Sequence, residues 1–127
     1  MSFSFDPQQG LIFVSAELWG PSGSAVLRLA LDTGATFTVV NIGMLVALGY
    51  DPALISDRIQ VTTGSGVEFV PRVPLDKIMA LGQKRTDFPV LGHTLPPSTG
   101  VDGLLGLDFF RGWSLNIDFR AGQVALD

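Results

Sequence analysis

An acidic tripeptide at the end of an apolar segment constrains this chain more than any other feature. Residues 25–31 are apolar except for Arg28, and they run directly into Asp32-Thr33-Gly34. A short apolar run bounded by a turn predicts a buried strand, and Gly34 permits a turn that a β-branched residue would not. The sequence therefore places a carboxylate at the end of a core strand. The alternative is an Asx-type turn, in which Asp32 hydrogen-bonds its own backbone and has no chemical role.

The composition limits the size and the partners of the protein. The chain has 127 residues, which predicts one domain over residues 1–127, and 46% of the residues are apolar while only 16% are charged. This balance indicates apolar surface that another chain covers, so we expect a subunit interface. The net charge is −4 and the eight Lys and Arg residues are scattered. That pattern excludes a basic surface for nucleic acid.

The cysteine and histidine content limits the chemistry. Cysteine is absent and His93 is the only histidine. That excludes disulfides, thiolate metal sites and cysteine nucleophiles, and we expect neither a metal nor another cofactor. The N-terminus lacks the basic start and apolar segment of a secretory signal, and no run approaches the roughly 18 apolar residues of a membrane span. We therefore expect a cytoplasmic protein with no membrane partner.

Short β-prone runs alternate with turn residues along the chain. They predict strands over 11–19 and 25–31, a hairpin of 59–63 and 67–70 with Gly64-Ser65-Gly66 at its tip, and a last hairpin of 114–119 and 123–126. Pro71 and Pro74 are expected to end the pairing of the middle hairpin. Short helices are expected over 44–48 and 104–113. The predicted fold class is therefore mostly β, a small barrel or sandwich with one or two short helices.

A second motif follows the first after about 70 residues, where Leu104-Leu105-Gly106 joins two apolar residues to a glycine. Together with Leu31-Asp32-Thr33-Gly34-Ala35, it resembles the retroviral-type, or retropepsin-like, aspartic proteases. In that family an apolar-Asp-Thr-Gly-Ala element carries the catalytic acid, and an apolar-apolar-Gly element lies beside it. Residues 61–70 fall where the family has its flap, the mobile hairpin that closes over bound peptide. The resemblance spans residues 25–119.

The resemblance implies a closed β-barrel of the acid protease type with one lobe per chain. It also implies an aspartic endopeptidase that acts as a homodimer on peptide or unfolded protein substrates. Asp32 would be the catalytic acid, Thr33 would form hydrogen bonds across the dimer, and Gly34 would let the substrate backbone approach closely. The implied substrate-binding residues are Ala35, Thr36, Phe37, Gly64, Ser65 and Gly66, and the implied supporting residues are Leu104, Leu105 and Gly106.

A chain with a single Asp-Thr-Gly can obtain its second acid only from a twin subunit. Two ionised carboxylates about 3 Å apart repel by roughly 5 kcal/mol at an effective dielectric near 20. The pair therefore shares one proton, as is well known for aspartic proteases, so that one acid serves as base and the other as acid. Ala35 replaces the Ser or Thr of pepsin-like enzymes and removes one hydrogen bond to the carboxylates. We therefore expect a pH optimum that is less acidic than theirs.

Three positions depart from the viral pattern. Thr36 and Leu107 stand where viral members commonly have an acid and an Arg, so the bridge that those residues form near the subunit boundary cannot form here. We expect a dimer built differently, through the terminal segments 3–5 or 123–126. Phe37 replaces a residue that is often polar and is expected to narrow a substrate pocket.

Other polar residues near the motifs are expected to be structural. Asp102 and Asp108 are interpreted as turn or helix-start residues, and His93 as a loop residue, none of them catalytic. A different class of function also fits the same pattern. In that alternative the chain is a catalytically inactive binding or dimerisation module with the retropepsin fold.

Overall fold

The computed structural model describes all residues from Met1 to Asp127. It contains ten strands and two short α-helices, α1 and α2, together with single 3-10 turns at Pro52–Leu54 and Pro97–Thr99. In chain order the elements are β1 (Ser2–Ser4), β2 (Phe13–Gly20), β3 (Gly23–Leu31), β4 (Val39–Asn41), α1 (Ile42–Ala47), β5 (Arg58–Thr63), β6 (Gly66–Ala80), β7 (Gln83–His93), β8 (Gly103–Leu105), α2 (Leu107–Phe110), β9 (Leu115–Asp118) and β10 (Gln123–Leu126).

Six strands form a closed barrel in the order β2-β3-β8-β4-β7-β6, and a pairing between β2 and β6 closes it. Most neighbours are antiparallel, but β3 runs parallel to β8, and β4 runs parallel to β7. The predicted fold class is confirmed, including the two short helices. The expected buried strand before Asp32 is β3, although it alternates: Leu27 and Leu29 are buried, whereas Val26 is 69% exposed.

The barrel interior is filled by aliphatic and aromatic side chains. Its fully buried members include Leu18 of β2, Leu29 of β3, Leu75 of β6 and Leu105 of β8, with Phe109 of α2 packed on them. Because these residues come from strands far apart in sequence, the barrel fixes the relative positions of the strand ends that carry the two motifs.

Strand β6 continues through both prolines, so the prediction that Pro71 and Pro74 end the pairing is wrong. Its first part pairs with β5 and its later part with β7 and β2. Pro74 lies opposite Pro89, so both missing N–H donors fall at one point of the ladder, which continues on either side. Pro71 lies opposite Arg58, the first residue of β5.

The helix predicted over 104–113 is also wrong in its extent. Leu104 and Leu105 belong to β8, which is held between β3 and β4, and α2 begins only at Leu107. A short apolar run fits a buried strand as well as a helix, and here the barrel selects the strand. None of the helices is long and apolar enough to span a bilayer.

The two chain ends form a separate three-stranded sheet in the order β1-β10-β9. The predicted last hairpin is therefore present as β9 and β10. One face of this sheet packs on the barrel core through Phe3, Ile117, Val124 and Leu126. Both edges of β10 are already paired within the chain, so segment 123–126 offers no free edge to a partner.

Candidate active site

The structure brings the two sequence motifs together at one end of the barrel. Leu31 and Leu105 are register partners in the parallel pair of β3 and β8. The N–H of Asp32 donates to the carbonyl of Leu105 at 2.9 Å, and the N–H of Leu31 donates to Ile12 at 2.9 Å. Asp32 therefore leaves β3 next to Gly106, because neighbouring parallel strands end at the same edge of the sheet.

The Asp32 carboxylate lies half-buried in a tight loop. Its Oδ1 accepts a hydrogen bond from the N–H of Gly34 at 2.8 Å, and the N–H of Ala35 donates to the Asp32 carbonyl at 3.2 Å. The Asx-type turn considered from the sequence is thus present. It occupies one oxygen only, and Oδ2 accepts no hydrogen bond from the chain. Thr33 and Gly34 are exposed.

Gly106 lies against the backbone that follows Asp32, at a distance that only glycine permits. A Cβ at this position would lie 2.7 Å from both the carbonyl carbon and the oxygen of Phe37, and 2.8 Å from the Ala35 oxygen. The N–H of Leu107 donates to the same Ala35 oxygen at 2.8 Å. Leu104 and Leu105 hold this contact in place through their pairing with β3 and β4.

Thr38 and Asp108 were not identified as site residues from the sequence. Thr38 is fully buried, and its N–H donates to Asp108 Oδ1 at 2.9 Å while its hydroxyl donates to the same oxygen at 2.7 Å. The Thr38 hydroxyl oxygen accepts from the N–H of Gly106 at 3.1 Å. Asp108 lies in the first turn of α2, as expected, but it also ties α2 to the loop that follows Asp32. The sequence feature that could have identified these two residues is that each is polar and lies within an apolar run.

Asp102 has a structural position, in agreement with the sequence interpretation. Its Oδ2 accepts from the N–H of Arg28 at 2.9 Å, and its carbonyl accepts from the N–H of Asn41 at 2.8 Å. It therefore joins β3 to the end of β4.

The residues after Asp32 are arranged along one rim of the site. Ala35 and Phe37 are half-buried and Thr36 is exposed. Leu107 donates its N–H to the Ala35 carbonyl, and no ion pair links Thr36 with Leu107 because neither side chain carries a charge.

The β5–β6 hairpin carries Gly64, Ser65 and Gly66 at its tip. Thr63 and Gly66 are register partners, which leaves Gly64-Ser65 as the turn. Gly66 has φ +129°, a conformation that L side chains rarely adopt, whereas Gly64 has no such requirement. All residues from 64 to 69 are exposed, so this end of the hairpin extends away from the barrel.

One face of the hairpin covers a small apolar cavity of about 150 Å³ beside β4. The cavity is lined by Val39, Val61, Thr63, Val70, Leu91 and His93. His93 is the last residue of β7 rather than the loop residue that we expected, and its Nε2 lies 3.7 Å from Glu68 Oε2 on the hairpin. Side chains of the hairpin and of the barrel therefore meet next to the strand that follows the Asp32 loop.

Asp32 itself lines none of the five main cavities. The largest, of about 670 Å³, lies between the hairpin and the end of β7. The two residues that follow Asp32, Thr33 and Gly34, are exposed. The chain gathers no group of three His, Asp or Glu side chains that could hold a metal ion. A single chain thus presents one carboxylate that lies outside these five cavities.

The fold, with both motifs at one end of the barrel, matches that of known aspartic proteases. A family model described as "Aspartyl protease" matches residues 14–109, a span that contains both motifs and the hairpin. The chain therefore belongs to the aspartyl protease family.

Solved structures show the retropepsin-like form of this fold. A retropepsin-like aspartic protease from Rickettsia conorii superposes with a TM-score of 0.71 at 16% identity, covering 99% of this chain and 88% of the other. The resemblance stated from the motifs is confirmed. A search of curated proteins gives no significant match.

Proposed function

We propose that the protein is a homodimeric aspartic endopeptidase that hydrolyses peptide bonds with a water activated by two Asp32 carboxylates, one from each subunit. The observation that carries this proposal is the position of Asp32. It leaves β3 beside Gly106 with one carboxylate oxygen free of hydrogen bonds, next to the exposed Thr33 and Gly34, in a chain with one such motif. A second copy of the chain supplies the second acid and closes the site.

In the proposed mechanism the ionised Asp32 takes a proton from a water held between the two carboxylates. The resulting oxygen nucleophile attacks the peptide carbonyl carbon, while the protonated Asp32 of the other subunit hydrogen-bonds the carbonyl oxygen. The tetrahedral intermediate then loses its amine as the C–N bond breaks, and a carboxyl proton passes to the leaving nitrogen. No covalent enzyme intermediate forms.

The neighbouring residues have distinct roles in this proposal. Thr33 hydrogen-bonds across the dimer below the two acids, and the exposed Gly34 lets the substrate backbone approach. Ala35, Thr36 and Phe37 form one wall for the substrate, and Leu104-Leu105-Gly106 supports the loop from behind.

The β5–β6 hairpin acts as the flap in this proposal. Backbone groups of Gly64, Ser65 and Gly66 bind an extended peptide through strand-like hydrogen bonds. The apolar cavity beneath the hairpin supports this role, because it offers a pocket for a substrate side chain between Val39 and Val70.

The substitution Asp32→Asn tests the proposal. It keeps the shape of the side chain but cannot act as a base, so hydrolysis of an unfolded protein should vanish while the dimer persists in sedimentation. Asp87→Asn is the matched control, since Asp87 is exposed and accepts no hydrogen bond, and this variant should cleave like the wild type. Equal hydrolysis by wild type and Asp32→Asn would contradict the proposal. A wild-type dimer that cleaves no peptide would favour the inactive binding or dimerisation module.

A further inference from the structure

The terminal sheet has one edge that nothing in the chain covers. Strand β9 pairs with β10 on one side only. Ser114 and Asp127 exchange both backbone hydrogen bonds, at 2.7 and 3.0 Å. Hydrogen-bonded and non-hydrogen-bonded residue pairs alternate along an antiparallel ladder, so Asn116 and Ala125 form the next hydrogen-bonded pair. The N–H and C=O groups of Leu115 and Ile117 therefore point away from β10, towards the open edge.

This edge strand is short, with four residues, but it has few of the side chains that usually block pairing with another strand. Residues 115–118 contain neither Lys nor Pro, and the Asp118 carboxylate is engaged in the following turn, where it accepts from the N–H groups of Arg120 and Ala121. Exposed edges without such protection pair readily with another strand. The other edge of the sheet is β1, a three-residue strand with Ser2 and Ser4 at its ends.

The sequence around β9 is close to a palindrome in the chemical character of its side chains. From 113 to 119 they are aromatic, polar, apolar, Asn, apolar, acidic and aromatic: Trp113, Ser114, Leu115, Asn116, Ile117, Asp118 and Phe119. Both aromatic residues are large exposed hydrophobics, with Trp113 38% and Phe119 62% exposed. A strand with this symmetry is complementary to an antiparallel copy of itself.

We infer that β9 is the dimer interface, pairing antiparallel with β9 of a second copy about a two-fold axis at Asn116. This inference rests on the proposed function, because only a second copy completes the Asp32 site. In this register Leu115 lies opposite Ile117 of the second copy, and the free N–H and C=O groups of both residues are all used. The two terminal sheets become one continuous sheet.

The same register also matches the side chains. Trp113 and Phe119 flank β9 at its two ends, so the pairing brings Trp113 of one copy and Phe119 of the second copy to the same end of the paired strands, where exposed aromatic side chains favour contact. Asp118 lies opposite Ser114 of the second copy and not opposite another carboxylate. Strand β9 follows Gly106 after the four-residue α2, so the interface is connected directly to the motif that touches Asp32. Pairing through β10 is excluded, and pairing through β1 would leave Trp113 and Phe119 uncovered.

A single cysteine provides the test, because the chain has none of its own. Residue 116 of one copy and residue 116 of the second copy would form a non-hydrogen-bonded pair on the two-fold axis. Their Cα atoms would lie about 4.5 Å apart, within the range that a disulfide requires. Asn116 is exposed, so Asn116→Cys should fold normally and form a disulfide-linked dimer under mild oxidation. Ser4→Cys, an exposed residue of the other edge strand, is the matched control and should stay unlinked.

A charge at the same position provides a second measurement. Asn116→Asp places two like charges opposite each other and should raise the dimer dissociation constant about threefold to fivefold at low salt. Added salt should reverse much of this change, and Asn116→Ser should dimerise like the wild type.

The possible outcomes separate this interface from the proposed function. Cross-linking of Asn116→Cys without cross-linking of Ser4→Cys supports the interface, whether or not the linked dimer cleaves peptide. A wild-type dimer in sedimentation, with Asn116→Cys unlinked and Asn116→Asp unchanged, overturns the interface but leaves the endopeptidase proposal standing. A monomer that hydrolyses peptides overturns both.

Discussion

The carboxylate of Asp108 accepts hydrogen bonds from both the N–H and the hydroxyl of Thr38, a residue 70 positions earlier in the chain. The Thr38 hydroxyl oxygen is in turn the acceptor for the N–H of Gly106. Thr38, Gly106 and Asp108, from the two motif regions, therefore meet in one hydrogen-bond network around the buried Thr38 side chain. This network fixes the start of α2 against the segment that follows Asp32.

Loss of the Asp108 carboxylate should destabilise the protein strongly. Asp108→Ala leaves the buried N–H and hydroxyl of Thr38 without an acceptor, at a cost of roughly 2 to 4 kcal/mol of unfolding free energy. Asp108→Asn retains one acceptor oxygen and should lose about 1 kcal/mol. Urea unfolding of both variants measures the difference. Equal losses would show that the hydrogen bonds to Thr38 are not what stabilises this site.

A methyl group at Gly106 should disturb the active-site loop. In Gly106→Ala the new Cβ meets backbone atoms of Phe37 and Ala35 that cannot rotate away. We expect a stability loss of about 1 to 3 kcal/mol from overpacking. We also expect a fall in kcat of about tenfold or more, because the Asp32 loop must shift. Gly10→Ala is the control, since no atom lies within 4 Å of its Cβ position. Wild-type kcat in Gly106→Ala would contradict this explanation.

The strongest parts of the sequence interpretation concerned local patterns. An apolar strand that ends in Asp32-Thr33-Gly34 and an apolar pair before Gly106 are both readable within a few residues, and the structure places them side by side. The barrel also follows from short strands and frequent turns. The roles of the site residues stay a prediction, as do the dimer and the cytoplasmic location.

The missed features depend on distant contacts. Leu104 and Leu105 became strand because β3 and β4 lie on either side of them, which the apolar run alone does not reveal. The bond between Thr38 and Asp108 joins residues whose proximity only the closed barrel creates. The central position of β10 likewise depends on β1, the first strand of the chain. Strand order of this kind is a long-range property that periodicity does not encode.

The flap proposal predicts different effects at the two glycines of the hairpin tip. Gly66→Ala forces a side chain into φ +129°, a strain of about 1 to 3 kcal/mol that alters the hairpin tip. Peptide hydrolysis should then show a higher KM. Gly64→Ala adds a methyl group in open space at an ordinary φ and should leave KM almost unchanged. Identical kinetics for the two variants would argue against a flap that contacts substrate.

Tyr50 should make stability depend on alkaline pH. Its hydroxyl donates to the Trp19 carbonyl at 3.2 Å and accepts from the N–H of Asp76 at 2.9 Å. Burial raises the pKa of Tyr50 above its ordinary value of 10.0, and the nearby Asp76 charge adds to this effect. Because the folded state favours the protonated phenol, the stabilisation is complete below the unfolded pKa and is lost as the pH rises through the folded pKa.

Tyr50→Phe should therefore be less stable than the wild type near neutral pH, by about 1 to 3 kcal/mol for the lost hydrogen bonds. The gap should narrow as the pH rises above 10.0, the ordinary pKa of the phenol, because only the wild type has a phenol to ionise. Urea midpoints over this range measure the gap. A constant gap would show that Tyr50 does not titrate with unfolding.

Mixed dimers test most directly whether two chains build one active site. Wild type and Asp32→Asn are unfolded together in varying proportions, refolded at constant total protein, and assayed for peptide hydrolysis. If each site needs an ionisable Asp32 from both subunits, activity follows the square of the wild-type fraction, so an equal mixture retains about a quarter of the wild-type rate. If each chain acts alone, activity falls in direct proportion and the equal mixture retains about half. The second result would contradict the paired-carboxylate account.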